Sequence, residues 1–368
     1  MALELPQRDD YQQLFLVDTP MLDVRAPVEY EQGSFPITLN VPIMNNDERH
    51  NIGLCYKQRG QDSAVELGHQ LVSGDIKAQR VQAWVEFFQK NPKGALYCFR
   101  GGMRSKITQQ WIYEQSGVIY PRIKGGYKAM RGYLLRELDA SVGQLDFTVL
   151  SGRTGVGKTQ FLHRYQQQID LEGIYRHNGS AFGKRVHQQP SQIDVENELS
   201  VALMKHRVHQ TQHILLEDES ANIGSRRIPM GMLEKMSKSP VLVLESPLGA
   251  RVELIYQQYV VDSRLAYQGV YGVEAGTLQW ADNLLDALLR IQRRLGGTRY
   301  QQVKAIMDCA LIKPHEPAEH EHKAWIVFLL NEYYDAMYDY QLAKKSDRVG
   351  FRGDEQALSE YLVQANFS

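Results

Sequence analysis

The hydrophobic positions in the first third of the chain alternate between short apolar runs and longer helical patterns. The runs LFLVD and GALYCF have the length and residue types of buried strands, whereas DIKAQRVQAWVEFFQK repeats its apolar positions at helical spacing. This alternation is typical of α/β architecture with a parallel sheet. The pattern lapses into a polar stretch at residues 141–146 before FTVLSG, which predicts a domain boundary near residues 136–146.

A second block repeats the alternation with the apolar runs HILLE and VLVLE, and predicts a second α/β unit. From about Asn283 onward the pattern is mainly helical, and the glycine pair that closes NLLDALLRIQRRLGG predicts the end of a helix. The aromatic-rich segment HKAWIVFLLNEYYDAMYDYQLAKK predicts a helix packed across a domain face. We therefore predict three segments: residues 1–140, residues 141–310 and a helical C-terminal segment at residues 311–368.

The composition of the 368 residues is that of a globular protein, with 43% hydrophobic and 23% charged residues. The N-terminal stretch lacks the features of a signal peptide, and no apolar run approaches transmembrane length. We therefore expect a cytoplasmic protein with no membrane partner. The net charge of −1 offers no general attraction to nucleic acid, so any RNA contact must come from local basic patches.

Among the three cysteines, Cys98 has neighbours that indicate chemistry. It follows an apolar run and precedes FRGGMRSK, in which a glycine pair leads into a helical pattern. Glycines let backbone N–H groups turn inward, and Arg100 and Arg104 add cationic donors, so the loop is expected to bind a small anion. Loops of this kind favour the thiolate form of a cysteine. Cys98 is thus a candidate nucleophile or carrier of sulfur or selenium; the alternative is a buried residue at a strand end. Cys55 and Cys309 are expected to be structural.

This loop, together with LDVRAPVEYEQGSFPITLNVP, resembles a rhodanese domain over roughly residues 9–135. Asp23, Arg25 and Glu29 match the first characteristic segment of that family. Ser34 stands where many rhodaneses carry histidine, and the loop from cysteine to arginine is one residue longer than in the usual sulfurtransferase. The longer form also resembles rhodanese-related phosphatases. The loop alone therefore leaves sulfur or selenium transfer and phosphate-ester hydrolysis open.

The segment FTVLSGRTGVGKTQFLHRY contains the P-loop pattern G-x-x-x-x-G-K-[ST] between a predicted strand and a predicted helix. Its backbone N–H groups are expected to cradle a di- or triphosphate, with Lys158 neutralising the terminal oxygens and the Thr159 hydroxyl ligating Mg²⁺. The predicted phosphate-binding residues are Gly152, Thr154, Gly155, Gly157, Lys158 and Thr159. The pattern predicts that the second segment is a P-loop NTPase-like α/β domain.

Two further sets of charged residues are candidates for the function. Glu217 and Asp218 follow the run HILLE and are expected to complete a Mg²⁺ site with Thr159, although acids also end strands as solvated residues. Basic runs in SRRIP and RIQRRLGG are candidates for RNA contacts, with solvation of a helix face as the alternative. The candidate RNA-binding residues are Arg226, Arg227, Arg293 and Arg294.

The loop CFRGGMRS, the intervening IKGGYKAMR and the P-loop GRTGVGKT together resemble the bacterial tRNA 2-selenouridine synthase family over nearly the whole chain. The segments HNGSAFG, QPSQ and ENEL also match its pattern. The resemblance implies an enzyme that acts on the wobble 2-thiouridine of certain tRNAs, with geranyl diphosphate as prenyl donor and selenophosphate as selenium donor. It also implies an enzyme that supplies selenophosphate as a partner. Whether a nucleotide is needed stays open.

A two-step chemistry explains why one chain would hold two anion-binding loops. S-geranylation turns the thiocarbonyl sulfur into a thioether, whose carbon then accepts selenide and expels a neutral thiol. We assign the P-loop to prenyl transfer and the Cys98 loop, with Arg100 and Arg104, to selenium transfer. A P-loop kinase or NTP-dependent regulator with an inactive rhodanese module is the main alternative. A cysteine phosphatase is another, but it leaves the P-loop unexplained.

Overall fold

The computed structural model describes residues 5–312, 318–365 and 367. The ends of the predicted segments at residues 1–4, 366 and 368, and the internal residues 313–317, lie outside this description. The chain divides into two compact units. The first unit runs to Ser141 and includes Ser191–Lys205, and the second contains Val142–Pro190 and the chain from His206 onward.

The segment Ser191–Lys205 belongs to the first unit, although the sequence pattern places it within residues 141–310. Asp194 accepts hydrogen bonds from the backbone N–H of Ser34 at 2.6 Å and from its hydroxyl at 2.9 Å. Ser200 donates to the carbonyl oxygen of Leu134 at 2.6 Å. These partners are distant in sequence, so the periodicity of neighbouring residues does not reveal them.

Five parallel strands form the sheet of the first unit, in the order β1-β5-β4-β2-β3. All residues of β2 and β4 are buried, as expected for central strands covered on both faces. The strands are β1 (Gln7–Arg8), β2 (Met21–Asp23), β3 (Thr38–Asn40), β4 (Ala95–Tyr97) and β5 (Arg122–Ile123). The helices of this part are α1 (Tyr11–Leu16), α2 (Pro27–Glu31), α3 (Asn46–Arg59), α4 (Gln61–Leu71), α5 (Gly74–Lys90), α6 (Met103–Ser116) and α7 (Gly126–Gln144).

One local prediction for the first third is wrong. The run LFLVD is not a strand: it overlaps the end of α1, where the adjacent residues Leu14 and Phe15 are both buried. Adjacent burial fits one side of a short helix but not the alternation of a strand. The two units divide between Ser141 and Val142, within the predicted boundary range of residues 136–146, although α7 continues through this polar stretch to Gln144. The strand predicted at GALYCF is confirmed as β4.

Five parallel strands also form the main sheet of the second unit, in the order β12-β11-β6-β8-β7. The runs FTVLSG, HILLE and VLVLE are confirmed as β6, β8 and β11. A short antiparallel hairpin is formed by β9 and β10. The strands are β6 (Asp146–Ser151), β7 (Gln168–Ile169), β8 (His213–Glu217), β9 (Asn222–Ile223), β10 (Arg226–Arg227), β11 (Val241–Leu244) and β12 (Val349–Gly353). The α/β prediction is therefore confirmed for both halves.

The later helices form a large apolar core of their own, which buries Trp280 and Trp325. The predicted helix end is confirmed, since α14 stops at Leu295 and Gly296 has a φ of 87°. The helices are α8 (Lys158–Leu162), α9 (Leu171–Tyr175), α10 (Gln192–Val208), α11 (Met230–Met236), α12 (Leu248–Ile255), α13 (Ser263–Tyr271), α14 (Val273–Leu295), α15 (Gly297–Leu311), α16 (Glu319–Leu329), α17 (Asp335–Ala343) and α18 (Glu355–Gln364). Short π-helical stretches lie at Tyr256–Asp262 and Leu330–Tyr334, and a 3-10 turn lies at Ser346–Arg348.

The C-terminal segment predicted as helical also contains the strand β12, which pairs in parallel with β11. Its sequence VGFRG is short, contains two glycines and is partly exposed, so it lacks the apolar run by which the other strands are recognised. Within the described part of the chain, no helix has both the length and the apolar character of a membrane span.

Candidate active sites

The loop that contains Cys98 connects β4 to α6 and rests against the start of α7. Tyr127 N–H donates to the carbonyl oxygen of Cys98 at 2.9 Å, and Lys128 N–H donates to that of Phe99 at 2.9 Å. Gly126 has a φ of 57°, and a Cβ atom there would lie 2.2 Å from the Cys98 carbonyl oxygen. Glycine alone permits this approach. The segment IKGGYKAMR therefore supports the Cys98 loop.

The thiol of Cys98 is buried, with 3% of the residue exposed. It donates a hydrogen bond to Ser105 Oγ at 3.3 Å, and Ser105 donates to the carbonyl oxygen of Gly102 at 3.0 Å. Burial alone agrees with the alternative of a structural cysteine at a strand end. The next residues, Phe99 and Arg100, line an open groove, so chemistry at Cys98 requires a ligand to enter from that side.

Arg104 is held at the groove by an ion pair with Glu29, at 2.6 and 3.1 Å. Burial opposes the charge of Glu29, but Arg104 and then Arg49 lower its pKa below the usual value. Arg49 lies 3.2 Å from the same carboxylate. One carboxylate thus orients two guanidinium groups, and each guanidinium retains further N–H donors for an anion.

The other two residues of the rhodanese-like first segment have a structural role. Arg25 and Asp23 form a buried ion pair at 2.6 Å, and Arg25 also donates to the carbonyl oxygen of Gly33 at 2.7 Å. The Arg25 guanidinium lies over the Tyr127 ring, 3.8 Å from its centroid. Because the Tyr127 N–H contacts the Cys98 carbonyl oxygen, the Asp23–Arg25 ion pair helps to hold Tyr127 against the Cys98 loop.

The groove beside the loop has a volume of about 1020 Å³, and six of its sixteen described lining residues are basic. Of the described residues that line it, Glu29 is the only carboxylate. Its basic residues are Arg25, Arg49, His50, Lys57, Arg100 and Arg104. The structure therefore brings the predicted residues Arg100 and Arg104 to one groove, and adds Arg49, His50 and Lys57 from α3.

The P-loop segment Gly152–Thr159 connects β6 to α8. Gly152, Gly155 and Gly157 have φ values of 152°, 79° and 88°, which L-residues rarely adopt. A Cβ atom at Gly152 would lie 2.5 Å from the Leu244 carbonyl oxygen. The glycines let the loop pass close to the end of β11, as the sequence pattern requires.

Arg153 and Arg251 fix the outside of this loop through ion pairs with two aspartates of α17. Arg251 is buried, donates to the carbonyl oxygen of Thr154 at 2.9 Å and pairs with Asp335 at 2.5 Å. Arg153 pairs with Asp339 at 2.6 Å. The shape of the loop therefore depends on a C-terminal helix that sequence reasoning did not connect with phosphate binding.

Three carboxylates surround the inner end of the P-loop. The Thr159 hydroxyl lies 3.0 Å from Glu217 and 3.3 Å from Glu172. Burial, together with repulsion from Glu172, raises the pKa of Glu217 and of Glu219 to about 8. Burial opposes the charge of Lys158, but nearby Tyr338 and the carboxylates keep its pKa above the usual value. A diphosphate can enter such a site only with cations or protonated carboxylates beside it.

The structure brings Glu217 to Thr159 and directs Asp218 elsewhere. Asp218 accepts from Ser151 Oγ at 2.7 Å and pairs with Lys345 at 2.5 Å. Among residues 5–312, 318–365 and 367, no group of three or more His, Cys, Asp or Glu side chains is arranged to hold a metal ion. Thr159 and Glu217 fit a Mg²⁺ whose other ligands are phosphate oxygens and water, which is the usual binding mode of this ion.

The four arginines predicted to bind RNA lie on two different elements. Arg226 and Arg227 form β10, and Arg226 Nε donates to the carbonyl oxygen of Pro190 at 2.5 Å. Arg293 and Arg294 are exposed in the last turn of α14. Contact between these four arginines and RNA therefore stays a prediction.

Sequence reasoning missed Glu172 and Glu219 as parts of the P-loop site, and Arg49 and Lys57 as parts of the groove. Glu219 stands two residues beyond the predicted Glu217, and the family-like HNGSAFG segment also lines the P-loop site. These signals were present in the sequence. The α3 residues carry no motif, since they lie on an ordinary polar helix.

Comparison with known proteins identifies the family. Residues 145–367 match the model of the tRNA 2-selenouridine synthase AAA domain. The chain is 49% identical over 357 residues to a tRNA 2-selenouridine synthase of Marinobacter nauticus, with 97% of each chain covered. It is 48% identical to that of Ectopseudomonas mendocina, with 96% of this chain and 95% of the relative covered. A relative in Pseudomonas putida is 47% identical, with 97% of each chain covered.

The chain belongs to the tRNA 2-selenouridine synthase family. The resemblance found from the motifs is thereby confirmed, and the chain is an enzyme of tRNA modification. The family model starts at residue 145 and spans the P-loop segment and the later helices.

Proposed function

We propose that the enzyme converts wobble 2-thiouridine in tRNA to 2-selenouridine through an S-geranylated intermediate, with geranyl diphosphate and selenophosphate as co-substrates. The observation that supports this proposal is that the two loops expected to bind anions belong to two different compact units. Cys98 and its basic groove belong to one unit, and Lys158 with its carboxylates belongs to the other. Two separate loops suit two separable reactions.

The P-loop serves prenyl transfer in this proposal. Its backbone donors, Lys158 and the Thr159 hydroxyl bind the diphosphate of geranyl diphosphate, because such a loop recognises phosphate oxygens and not a base. Thr159 and Glu217 would hold a Mg²⁺ ion, which offsets the charge of the leaving diphosphate when it is bound. Lys158 stabilises the charge that develops as the carbon–oxygen bond breaks. A nucleotide is not required by this chemistry.

The Cys98 loop serves selenium exchange. Within a rhodanese-like first unit, Arg100 and Arg104 hold selenophosphate, and the Cys98 thiolate attacks its phosphorus atom. The P–Se bond breaks and selenide is released, and water then removes the phosphoryl group from Cys98 as phosphate. The C2–Se bond forms at the base as the C2–S bond breaks, and the sulfur leaves with its geranyl group as a neutral thiol. The enzyme that supplies selenophosphate is the partner of this step, and the reactions take place in the cytoplasm.

The arginine pairs Arg226–Arg227 and Arg293–Arg294 are the proposed contacts for tRNA phosphates, because the near-zero net charge leaves attraction to local patches. Mass analysis of wobble nucleosides tests the whole proposal in cells with and without the gene. Loss of both 2-selenouridine and S-geranyl-2-thiouridine, with recovery on complementation, is expected. An unchanged nucleoside profile would contradict the proposed function.

A further inference from the structure

An apolar cavity of about 290 Å³ lies among α3, α4 and α6 in the first unit. Most of its walls are aliphatic, and the selenium chemistry described above uses none of these apolar residues. They include Ile43, Ile52, Val65, Val72, Ile107 and Trp111. Pockets that hold drug-sized molecules begin at about 300 Å³, so this cavity suits a smaller apolar group.

The cavity adjoins the basic groove of the Cys98 loop, because Met44, Ile52, Tyr56 and Arg104 line both. Met103, the first residue of α6 after the loop, also lines the cavity. Tyr56 and Met103 are 57% and 42% exposed, so apolar surface continues from the cavity to the groove. A ligand with an anionic part and an apolar tail could contact the groove with the first and the cavity with the second.

Gly68 keeps part of this space open. It lies inside α4, where glycine is less favourable than alanine. A Cβ atom at this position would meet only the Ile52 Cδ1 atom, at 3.6 Å, which is an ordinary contact. Backbone geometry therefore does not require glycine at this position. A longer side chain here would extend towards Ile52, which lines the cavity.

We propose that the cavity binds the geranyl chain of S-geranylated RNA during selenium exchange. This inference rests on the proposed function, in which the C2–S bond breaks while the sulfur still carries its chain. Selenium arrives at the oxidation level of hydrogen selenide and bonds to C2. Its two protons go to N3 of the base and to the leaving geranylthiol, so nothing is oxidised. The cavity keeps the chain out of water while the anionic RNA lies in the basic groove.

The wall chemistry favours a prenyl chain over a nucleobase. Proteins bind bases through aromatic faces and through donors and acceptors at the base edge. The aromatic side chains that line this cavity are Tyr56, His69 and Trp111, and aliphatic residues supply most of the remaining wall. Trp111 is already stacked with Trp84, with centroids 6.3 Å apart.

Binding of anticodon stem-loop RNAs tests the cavity directly, with wobble 2-thiouridine carrying either an S-geranyl or an S-methyl group. Each buried methylene contributes roughly a factor of four to affinity. Burial of about half the geranyl chain therefore predicts a preference for S-geranyl RNA on the order of 100-fold. Gly68→Leu is expected to reduce this preference to a few-fold and to leave S-methyl binding unchanged. The matched control Gly68→Ala is expected to retain the preference.

Equal affinity of the wild-type protein for the two RNAs, or an undiminished preference in folded Gly68→Leu, would overturn the proposal. If Gly68→Leu fails to fold, Ile107→Ala is the second variant. It enlarges the cavity and is expected to shift the binding preference from S-geranyl RNA towards S-farnesyl RNA. An unchanged preference for chain length in this variant overturns the proposal. Conversion of S-geranyl RNA with selenophosphate by the wild-type protein distinguishes failure of the proposed function from failure of the cavity proposal. Absence of conversion contradicts the proposed function, whereas conversion without chain-length preference contradicts only the cavity.

Discussion

Replacing Gly126 with alanine is expected to displace the Cys98 loop and to slow selenium exchange. The new Cβ would lie 2.2 Å from the Cys98 carbonyl oxygen and 2.5 Å from Gly101 N. Carbon–oxygen contacts ordinarily begin at about 3.3 Å, so the Cys98 carbonyl must move away from the new Cβ by roughly 1 Å. The φ of 57° adds a conformational cost of about 1–2 kcal/mol for alanine. A misplacement of about 1 Å in a reacting group lowers rates on the order of 100-fold.

The assay follows the conversion of pre-geranylated RNA to 2-selenouridine by purified protein with selenophosphate. Gly132→Ala is the matched control in the same helix, because a Cβ atom there meets only Arg136 Nη1, at 3.6 Å. The control is expected to react at the wild-type rate, and thermal unfolding verifies that both variants fold. A folded Gly126→Ala protein that converts RNA within about threefold of wild type would refute the argument that loop placement limits the reaction.

Three further predictions concern the thiol, RNA binding and pH. Cys98→Ser is expected to abolish selenium incorporation and accumulate geranylated RNA, because a hydroxyl ionises poorly. Full selenation by nucleoside mass analysis would exclude Cys98 as the nucleophile. The affinity for tRNA, measured by filter binding, is expected to fall steeply from low to moderate salt, and a flat response would indicate recognition by stacking or shape. Burial, with Arg264 nearby, lowers the pKa of His322 to about 4 from 6.5. The unfolded state therefore binds more protons between these values, and stability falls as pH drops from 6.5 towards 4. His322→Gln is expected to make this decline shallower in thermal unfolding, and an unchanged slope would contradict the assignment.

The sequence predicts the α/β class and most central strands, because buried parallel strands are short apolar runs between helical patterns. FTVLSG and HILLE are recognised in this way. The strand Val349–Gly353 is missed because it is short, glycine-containing and partly exposed. The placement of Ser191–Lys205 in the first unit depends on distant partners such as Ser34. Periodicity reports the environment of neighbouring residues and carries no information on such pairings.

The two loops are predictable because their chemistry depends on local glycine spacing. The residues that position the two loops could not be predicted from the sequence. Glu29 orients Arg104 from far along the chain, and Arg251 fixes the carbonyl of Thr154 from another helix. Glu217 is the last residue of β8 and Asp218 follows it, yet Glu217 contacts Thr159 whereas Asp218 pairs with Lys345.

The division of labour between the two loops is tested by bypassing the first step. Lys158→Ala is expected to fail on 2-thiouridine RNA with geranyl diphosphate, because the developing diphosphate charge loses its main cation. Cys98→Ser is expected to complete that step and to stop at the geranylated RNA.

The most direct measurement is the conversion of pre-geranylated RNA by Lys158→Ala with selenophosphate. The proposed function predicts formation of 2-selenouridine at close to the wild-type rate, because this step needs no prenyl diphosphate. If folded Lys158→Ala protein that still binds tRNA fails to convert the pre-geranylated RNA, the P-loop must take part in selenium exchange itself, and the assignment of one step to each loop is contradicted.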